Sequence, residues 1–164
     1  MITLNLIDLE KSDIKYKINK FPDGQQNIII KSEIQWDEGV MGITSDLNGR
    51  RFNANKVVQI KSRLNNWLDL ELIVCAVASL NELGIEEIHL YTPYIMGARS
   101  DRKFEEGGNN YLKDVICPII NSLNFKTVTC IDSHSDVLEA CIKGFRKESN
   151  LKLVKFSLFN IYEK

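Results

Sequence analysis

Short apolar runs rich in β-branched residues recur along this chain and predict strands. A further short strand is predicted over 15–20, before a Phe-Pro-Asp-Gly-Gln turn at 21–25. Residues 35–55 are rich in turn formers and are interpreted as a loop. The predicted strands are the segments 2–7, 28–30, 57–60, 88–91 and 127–131.

Apolar residues at helical spacing follow several of these strands. Asn66 can cap a helix over 67–83 that ends at Gly84. Its apolar positions recur on one face, which predicts packing against a sheet. They are Leu70, Ile73, Val74, Val77, Leu80 and Leu83.

Two more helices are predicted towards the end of the chain. One runs over 111–124, is capped by Asn109 or Asn110, and is interrupted or bent by Pro118. The other begins after Ser135, a suitable N-cap residue. Strands that alternate with helices predict a parallel sheet between helices, so the expected fold class is α/β, a three-layer αβα sandwich with a mainly parallel sheet.

Length and charge narrow the functional classes. A chain of 164 residues suits one domain over 1–164, which can bury about 70% of its extended surface. Twenty-one basic and 22 acidic residues give a formal charge of −1, which favours neither nucleic acid nor membrane as a partner. The N-terminus lacks the basic and apolar regions of a signal peptide, and no apolar run has the length of a membrane span. A cytoplasmic location is therefore expected.

The four cysteines are widely spaced and form no Cys-x-x-Cys pair. They fall on apolar faces of predicted elements, where a reduced cysteine acts as a small hydrophobic residue. The spacing therefore favours structural cysteines over a zinc site. The cysteines are Cys75, Cys117, Cys130 and Cys141.

Candidate chemistry is densest in the segment 92–103, TPYIMGARSDRK, which directly follows a predicted strand. In α/β proteins such a loop is a common ligand site, because the strand fixes its root. Arg99, Arg102 and Lys103 can donate hydrogen bonds to an anion, most plausibly a phosphate. A solvated loop without function is the alternative that composition alone favours.

This segment resembles the PYxxYARQDRK loop of ribose-phosphate pyrophosphokinases, the enzymes that make phosphoribosyl pyrophosphate (PRPP). Gly97 replaces the usual tyrosine, and Ser100 replaces the usual glutamine. The resemblance implies a phosphoribosyltransferase-like fold and ATP contacts at Arg99, Ser100 and Asp101. The matching residues are Pro93, Tyr94, Ala98, Arg99, Asp101, Arg102 and Lys103.

Two further segments resemble motifs of the same enzymes. The turn at 21–25 is similar to FxDGE, which helps to bind the ATP of a neighbouring subunit. This implies that Phe21, Asp23 and Gln25 bind ATP in a homo-oligomer, although Gln25 replaces the charged glutamate. Asp-Ser-His at 132–134 is similar to DLH, whose histidine holds the magnesium of Mg-ATP, so Mg²⁺ is implied at His134. A surface or capping role is the alternative for that histidine.

The resemblance covers about residues 21–145. The loop at 35–55 is longer than the corresponding connection of these enzymes, which implies an insertion there. In these enzymes a second domain carries an acidic pair that leads into a TGGT loop, which grips the ribose phosphate. This sequence has no Asp-Asp pair, and its only Gly-Gly, at Gly107, is not followed by threonine. It is therefore expected to be an N-terminal, ATP-binding domain, with the second domain absent. The leading interpretation is half of an enzyme that transfers pyrophosphate from ATP to ribose 5-phosphate.

Two alternatives stay open. A catalytically inactive module for regulation or assembly is favoured by the departures at Gly97, Ser100 and Gln25. Transfer to another sugar phosphate is the second alternative, which a second domain would decide.

Overall fold

The computed structural model describes residues 1–30, 57–133 and 135–151. Five parallel strands form the main sheet in the order β1–β4–β5–β6–β7, and β2 and β3 form a separate antiparallel hairpin. The predicted insertion at 35–55 lies outside the described residues. The strands are β1 (Ile2–Asn5), β2 (Tyr16–Lys20), β3 (Gln26–Ile30), β4 (Val57–Lys61), β5 (Glu87–Thr92), β6 (Thr127–Ile131) and β7 (Phe145–Glu148).

In the described part of the chain, three α-helices connect the strands of the main sheet or follow them. They are α1 (Trp67–Glu82), α2 (Cys117–Ser122) and α3 (Asp136–Cys141). The predicted α/β fold with a mainly parallel sheet is confirmed. Within the described ranges, no helix is both long enough and apolar enough to cross a lipid bilayer.

Alternate side chains of the central strands form the core. Val58 and Ile60 on β4 stand beside Ile88 and Leu90 on β5, and all four are at most 4% exposed. The buried face of α1 differs slightly from the predicted one, since Val74 is exposed and Leu83 is only half-buried. Its buried residues are Leu70, Leu72, Ile73, Ala76, Val77 and Leu80.

Helix α1 covers the free edge of the hairpin. The Glu71 carboxylate accepts a hydrogen bond from the backbone N–H of Gln26 at 3.2 Å, and the Ser79 hydroxyl donates to the carbonyl of Ile28 at 3.3 Å. Side chains of the helix therefore form hydrogen bonds with backbone groups of β3 that would otherwise be free to pair with a strand of another chain. The side-chain amide of Gln26 also donates to the backbone carbonyl of Leu68 at 3.0 Å. The turn at 21–25 is thus held near the start of α1, which follows the carboxyl end of β4.

The irregularity predicted at Pro118 takes the form of a π-helical turn. Residues Leu112–Ile116 form this wider turn, and α2 begins directly after it with proline in its first turn. Proline has no N–H for the carbonyl four residues earlier, so the regular α-helical bond is lost there. Asn110 caps this helical segment, since its side-chain oxygen accepts from the N–H of Lys113 at 2.9 Å.

Candidate functional site

The carboxyl ends of β5 and β6 are neighbours, since Thr92 pairs with Cys130. The two loops that carry the predicted ATP-binding and magnesium-binding residues therefore start side by side. The Cys130 thiol lies 3.9 Å from the carbonyl oxygen of Pro93 and joins their roots. Burial raises the pKa of this thiol to about 11, which favours the protonated form at neutral pH.

The root of the loop after β5 is rigid. The Thr92 hydroxyl donates to the carbonyl of Tyr94 at 2.7 Å, and the N–H of Met96 donates to the carbonyl of Leu64 at 2.8 Å. Ile95, Met96 and Ala98 are buried in the core. Pro93 is exposed at the start of this root, and the loop reaches the surface again at Arg99, the next exposed residue.

Gly97 is required by the local packing. Its φ is +81°, and a Cβ at this position would lie 2.9 Å from the Cδ1 atom of Tyr111. The ring of Tyr111 occupies the space that a side chain at residue 97 would need. This gives a structural reason for the glycine at a position where the resembling family has tyrosine.

Asp101 joins the two loops. Its Oδ2 atom accepts a hydrogen bond from the Ser135 hydroxyl at 2.7 Å, although the residues are 34 positions apart in the chain. Its carbonyl accepts from the side-chain amide of Asn110 at 2.5 Å. The neighbouring carbonyl of Ser100 accepts from the N–H of Leu112 at 3.1 Å. Ser100 and Asp101 are therefore fixed against both the helical segment at 112–122 and the start of α3.

The positive side chains of the site are exposed. Arg99, Arg102 and Lys103 all lie on the surface, and none of them forms a salt bridge with another described residue. The guanidinium of Arg102 lies over the Phe104 ring at 5.4 Å from its centroid. No carboxylate among the described residues lies within salt-bridge distance of these three cations, so they are available to an anion, the class of ligand that the sequence predicts for them.

Asp132 begins the loop after β6 in an unusual backbone conformation. Its φ is +41°, which is uncommon for residues other than glycine and is most often found for Asn and Asp. Its N–H donates to the carbonyl of Glu148 at 2.8 Å, and its Oδ1 accepts from the N–H of Asn150 at 3.1 Å. The carboxyl end of β7 therefore holds this loop in place. His134, the predicted magnesium ligand, lies outside the described residues.

The predicted turn at 21–25 forms the tip of the hairpin. The N–H of Phe21 donates to the carbonyl of Gln25 at 2.8 Å, and the N–H of Gly24 donates to the carbonyl of Phe21 at 3.0 Å. Phe21, Asp23 and Gln25 are all exposed, and the Phe21 side chain is free to contact a ligand or another chain. No hydrogen bond among the described residues links this tip to the loop after β5, so the structure does not join these two predicted parts of the site.

A groove lies elsewhere on the described part of the chain. It has a volume of about 430 Å³ and lies between β3 and the last turns of α1, and its lining includes Ile29, Ala78 and Leu83. The described residues contain no cluster of three or more His, Cys, Asp or Glu side chains that could hold a metal ion.

Comparison with known proteins supports the fold. No protein-family model matches the chain, and no curated protein matches its sequence. The chain is similar to the crystal structure of phosphoribosylpyrophosphate synthetase from Mycobacterium smegmatis, with a TM-score of 0.62 and 14% sequence identity. The match covers 94% of this chain and 46% of that one, so the chain spans about half the length of the solved structure. The chain therefore shares the fold of a phosphoribosylpyrophosphate synthetase over about half of that protein.

Proposed function

We propose that this chain is the nucleotide-binding part of an enzyme related to ribose-phosphate pyrophosphokinases. It binds Mg-ATP at the carboxyl edge of its sheet and, with a sugar-phosphate site, takes part in pyrophosphate transfer to C1 of ribose 5-phosphate. The hydrogen bond between Asp101 and Ser135 carries this proposal, because it joins the family-like segment 92–103 to the residue that directly follows the family-like segment 132–134. The shared fold is the independent support.

The exposed cations give the loop its role. Arg99 holds the phosphates of ATP through paired N–H donors, and Arg102 and Lys103 add positive charge beside it. Phosphoryl chemistry depends mainly on positioning and on neutralising charge, and this loop supplies both from a rigid root. The Oδ1 atom of Asp101 accepts no hydrogen bond from a described residue, so it is available to a donor group of the nucleotide.

The proposal places magnesium at this edge as well. Mg²⁺ usually keeps several waters and takes one or two carboxylates together with substrate phosphates. Asp132 has one carboxylate oxygen without a hydrogen bond from the described residues. This oxygen and the His134 imidazole would hold the ion, and the bound ion would neutralise phosphate charge.

Replacing His134 with alanine should weaken ATP binding by several-fold to a hundredfold in the presence of magnesium, since removing a ligand or its support typically has that effect. Binding in EDTA should change little, because the metal is then absent from both proteins. Isothermal titration calorimetry with and without magnesium measures the difference. Equal losses under both conditions would mean that His134 does not act through the metal.

The exposed hairpin tip supports a site shared between copies. Phe21, Asp23 and Gln25 have no described partner at the loop after β5, yet they form a well-defined turn. In a homo-oligomer this tip contacts the nucleotide bound by a neighbouring copy. Phe21 then lies against the adenine or the ribose.

The 164-residue chain by itself should bind Mg-ATP but make no PRPP from ATP and ribose 5-phosphate. The sequence has no Asp-Asp pair, and its only Gly-Gly pair, at 107–108, is not followed by threonine, so no residue of the expected kind orients the sugar, and the large rate advantage of positioning is lost. A coupled assay for PRPP tests this, and a fused sugar-phosphate domain should restore turnover. PRPP formation by the isolated chain would show that the sugar site has been misplaced.

An inactive module for assembly or regulation is the second candidate. The backbone of Ser100 and the carboxylate of Asp101 already form hydrogen bonds within the chain, so the loop is ordered without a nucleotide. Such a loop could serve as a fixed surface for active subunits. Binding of Mg-ATP without turnover in the fused protein, even after Gln25→Glu and Ser100→Gln, would favour this candidate.

A further inference from the structure

We propose that Ser135 is a positioning residue of the nucleotide site, whose hydroxyl fixes the Asp101 carboxylate so that the loops after β5 and β6 bind ligand as one unit. The effect on binding rests on the proposed function above. The structural link between the two loops stands without it.

The Ser135 hydroxyl makes two different hydrogen bonds at once. It donates to the Oδ2 atom of Asp101 at 2.7 Å and accepts from the N–H of Val137 at 3.2 Å. Ser135 is only 4% exposed, so water competes little for this hydroxyl. A hydrogen bond to a carboxylate is stronger than one between neutral groups. The hydroxyl therefore has one preferred orientation. In this orientation its oxygen also accepts the hydrogen bond from Val137 that caps the first turn of α3.

Asp101 is held from a second direction through its backbone. The side-chain amide of Asn110 donates to the backbone carbonyl of Asp101. The backbone N–H of Asn110 donates to the carboxylate of Asp114 at 2.8 Å. Asn110 is therefore itself fixed to the helical segment that follows it. With the backbone held by Asn110 and one oxygen held by Ser135, the second carboxylate oxygen of Asp101 has a defined position.

This position matters because the carboxylate lies in a loop that carries three cations for an anionic ligand. A mobile carboxylate would approach bound phosphates in some of its rotamers and repel them. Ser135 draws the negative charge towards α3 and leaves Oδ1 as the oriented acceptor. Loss of an orienting group around a ligand site commonly lowers affinity by ten- to a hundredfold.

Variants of Ser135 separate positioning from helix capping. Ser135→Ala removes both hydrogen bonds and should weaken Mg-ATP binding about tenfold. Ser135→Asp keeps a good N-cap but places a negative charge beside Asp101, so it should bind at least as weakly as the alanine variant. Ser135→Thr retains the hydroxyl and should bind nearly as the unaltered chain does. Ser79→Ala is the matched control, since it removes one hydroxyl bond between elements distant from this edge.

The experiment is isothermal titration of each variant with Mg-ATP, at a temperature where circular dichroism shows all of them folded. Weak binding by the alanine and aspartate variants, with normal binding by the Ser79 control, supports the proposal. Normal binding by Ser135→Asp would overturn it, since capping alone would then be sufficient.

Amide hydrogen exchange of the nucleotide-free chain distinguishes this inference from the proposed function. Ser135→Ala should speed exchange in residues 97–103 at least fivefold, whether or not ATP binds. Unchanged exchange there would overturn the positioning role. If the unaltered chain binds no Mg-ATP but the exchange responds as expected, the proposed function fails while the link between the loops stands.

Discussion

Replacing Gly144 with alanine is expected to lower the free energy of unfolding by about 3 kcal/mol, from left-handed backbone strain and overpacking together. The φ of Gly144 is +67°, and an added Cβ would lie 2.5 Å from the carbonyl oxygen of Lys126. That oxygen belongs to the backbone just before β6, so it cannot move away without shifting the strand. The carbonyl of Gly144 also accepts from the N–H of Val128 at 3.1 Å, which fixes it to the sheet.

The matched control is Gly107→Ala. Gly107 has a similar φ of +79°, but an added Cβ would meet no atom within 4 Å. Its replacement should therefore cost only about 1 kcal/mol from backbone strain. Urea denaturation followed by circular dichroism measures both variants. Equal losses of unfolding free energy in the two variants would contradict this prediction. They would mean that the contact with the Lys126 carbonyl does not add to the cost of a side chain at position 144.

Replacing Arg99 with alanine is expected to weaken Mg-ATP binding by about ten- to a hundredfold, because hydrogen bonds to charged groups contribute about 1.5–3 kcal/mol. Arg99 is the first exposed residue after the buried root of the loop, so its backbone position is well fixed. Arg99→Lys should recover only part of the affinity, since an ammonium group cannot form the paired hydrogen bonds of a guanidinium. Titration calorimetry measures both variants.

Arg146→Ala provides the control for charge alone. Arg146 is an exposed arginine on β7, so its removal lowers the net charge by the same amount without altering the loop. It should leave Mg-ATP affinity within about twofold of the unaltered value. Equal weakening by the two alanine variants would show that ATP responds to overall charge rather than to this loop.

The regular elements could be predicted wherever local signals agree. The apolar run at 57–60 and the cap at Asn66 each identify an element that the structure contains. β7 was missed because Phe145 is its only apolar residue and its other side chains are exposed. Its hydrogen bonds come from pairing with β6 at the edge of the sheet, which no local pattern encodes.

The site could be predicted only in parts. The composition of 92–103 identifies the loop, and Ser135 is recognisable as a helix cap. Their contact depends on the register between β5 and β6, so the sequence gives no sign that Ser135 reaches Asp101. Likewise, the presence of glycine at position 97 is explained only by the structure, in which the Tyr111 ring lies where a Cβ atom would be.

Amide hydrogen exchange with and without Mg-ATP tests most directly whether this chain binds nucleotide at the carboxyl edge of its sheet. The account predicts slower exchange on ligand binding in residues 97–103 and 132–137, with the groove between β3 and α1 unchanged. Inorganic phosphate at the same concentration is the control and should protect these segments less. Protection confined to the groove lined by Ile29 and Leu83, or no protection at saturating Mg-ATP, would contradict the central claim.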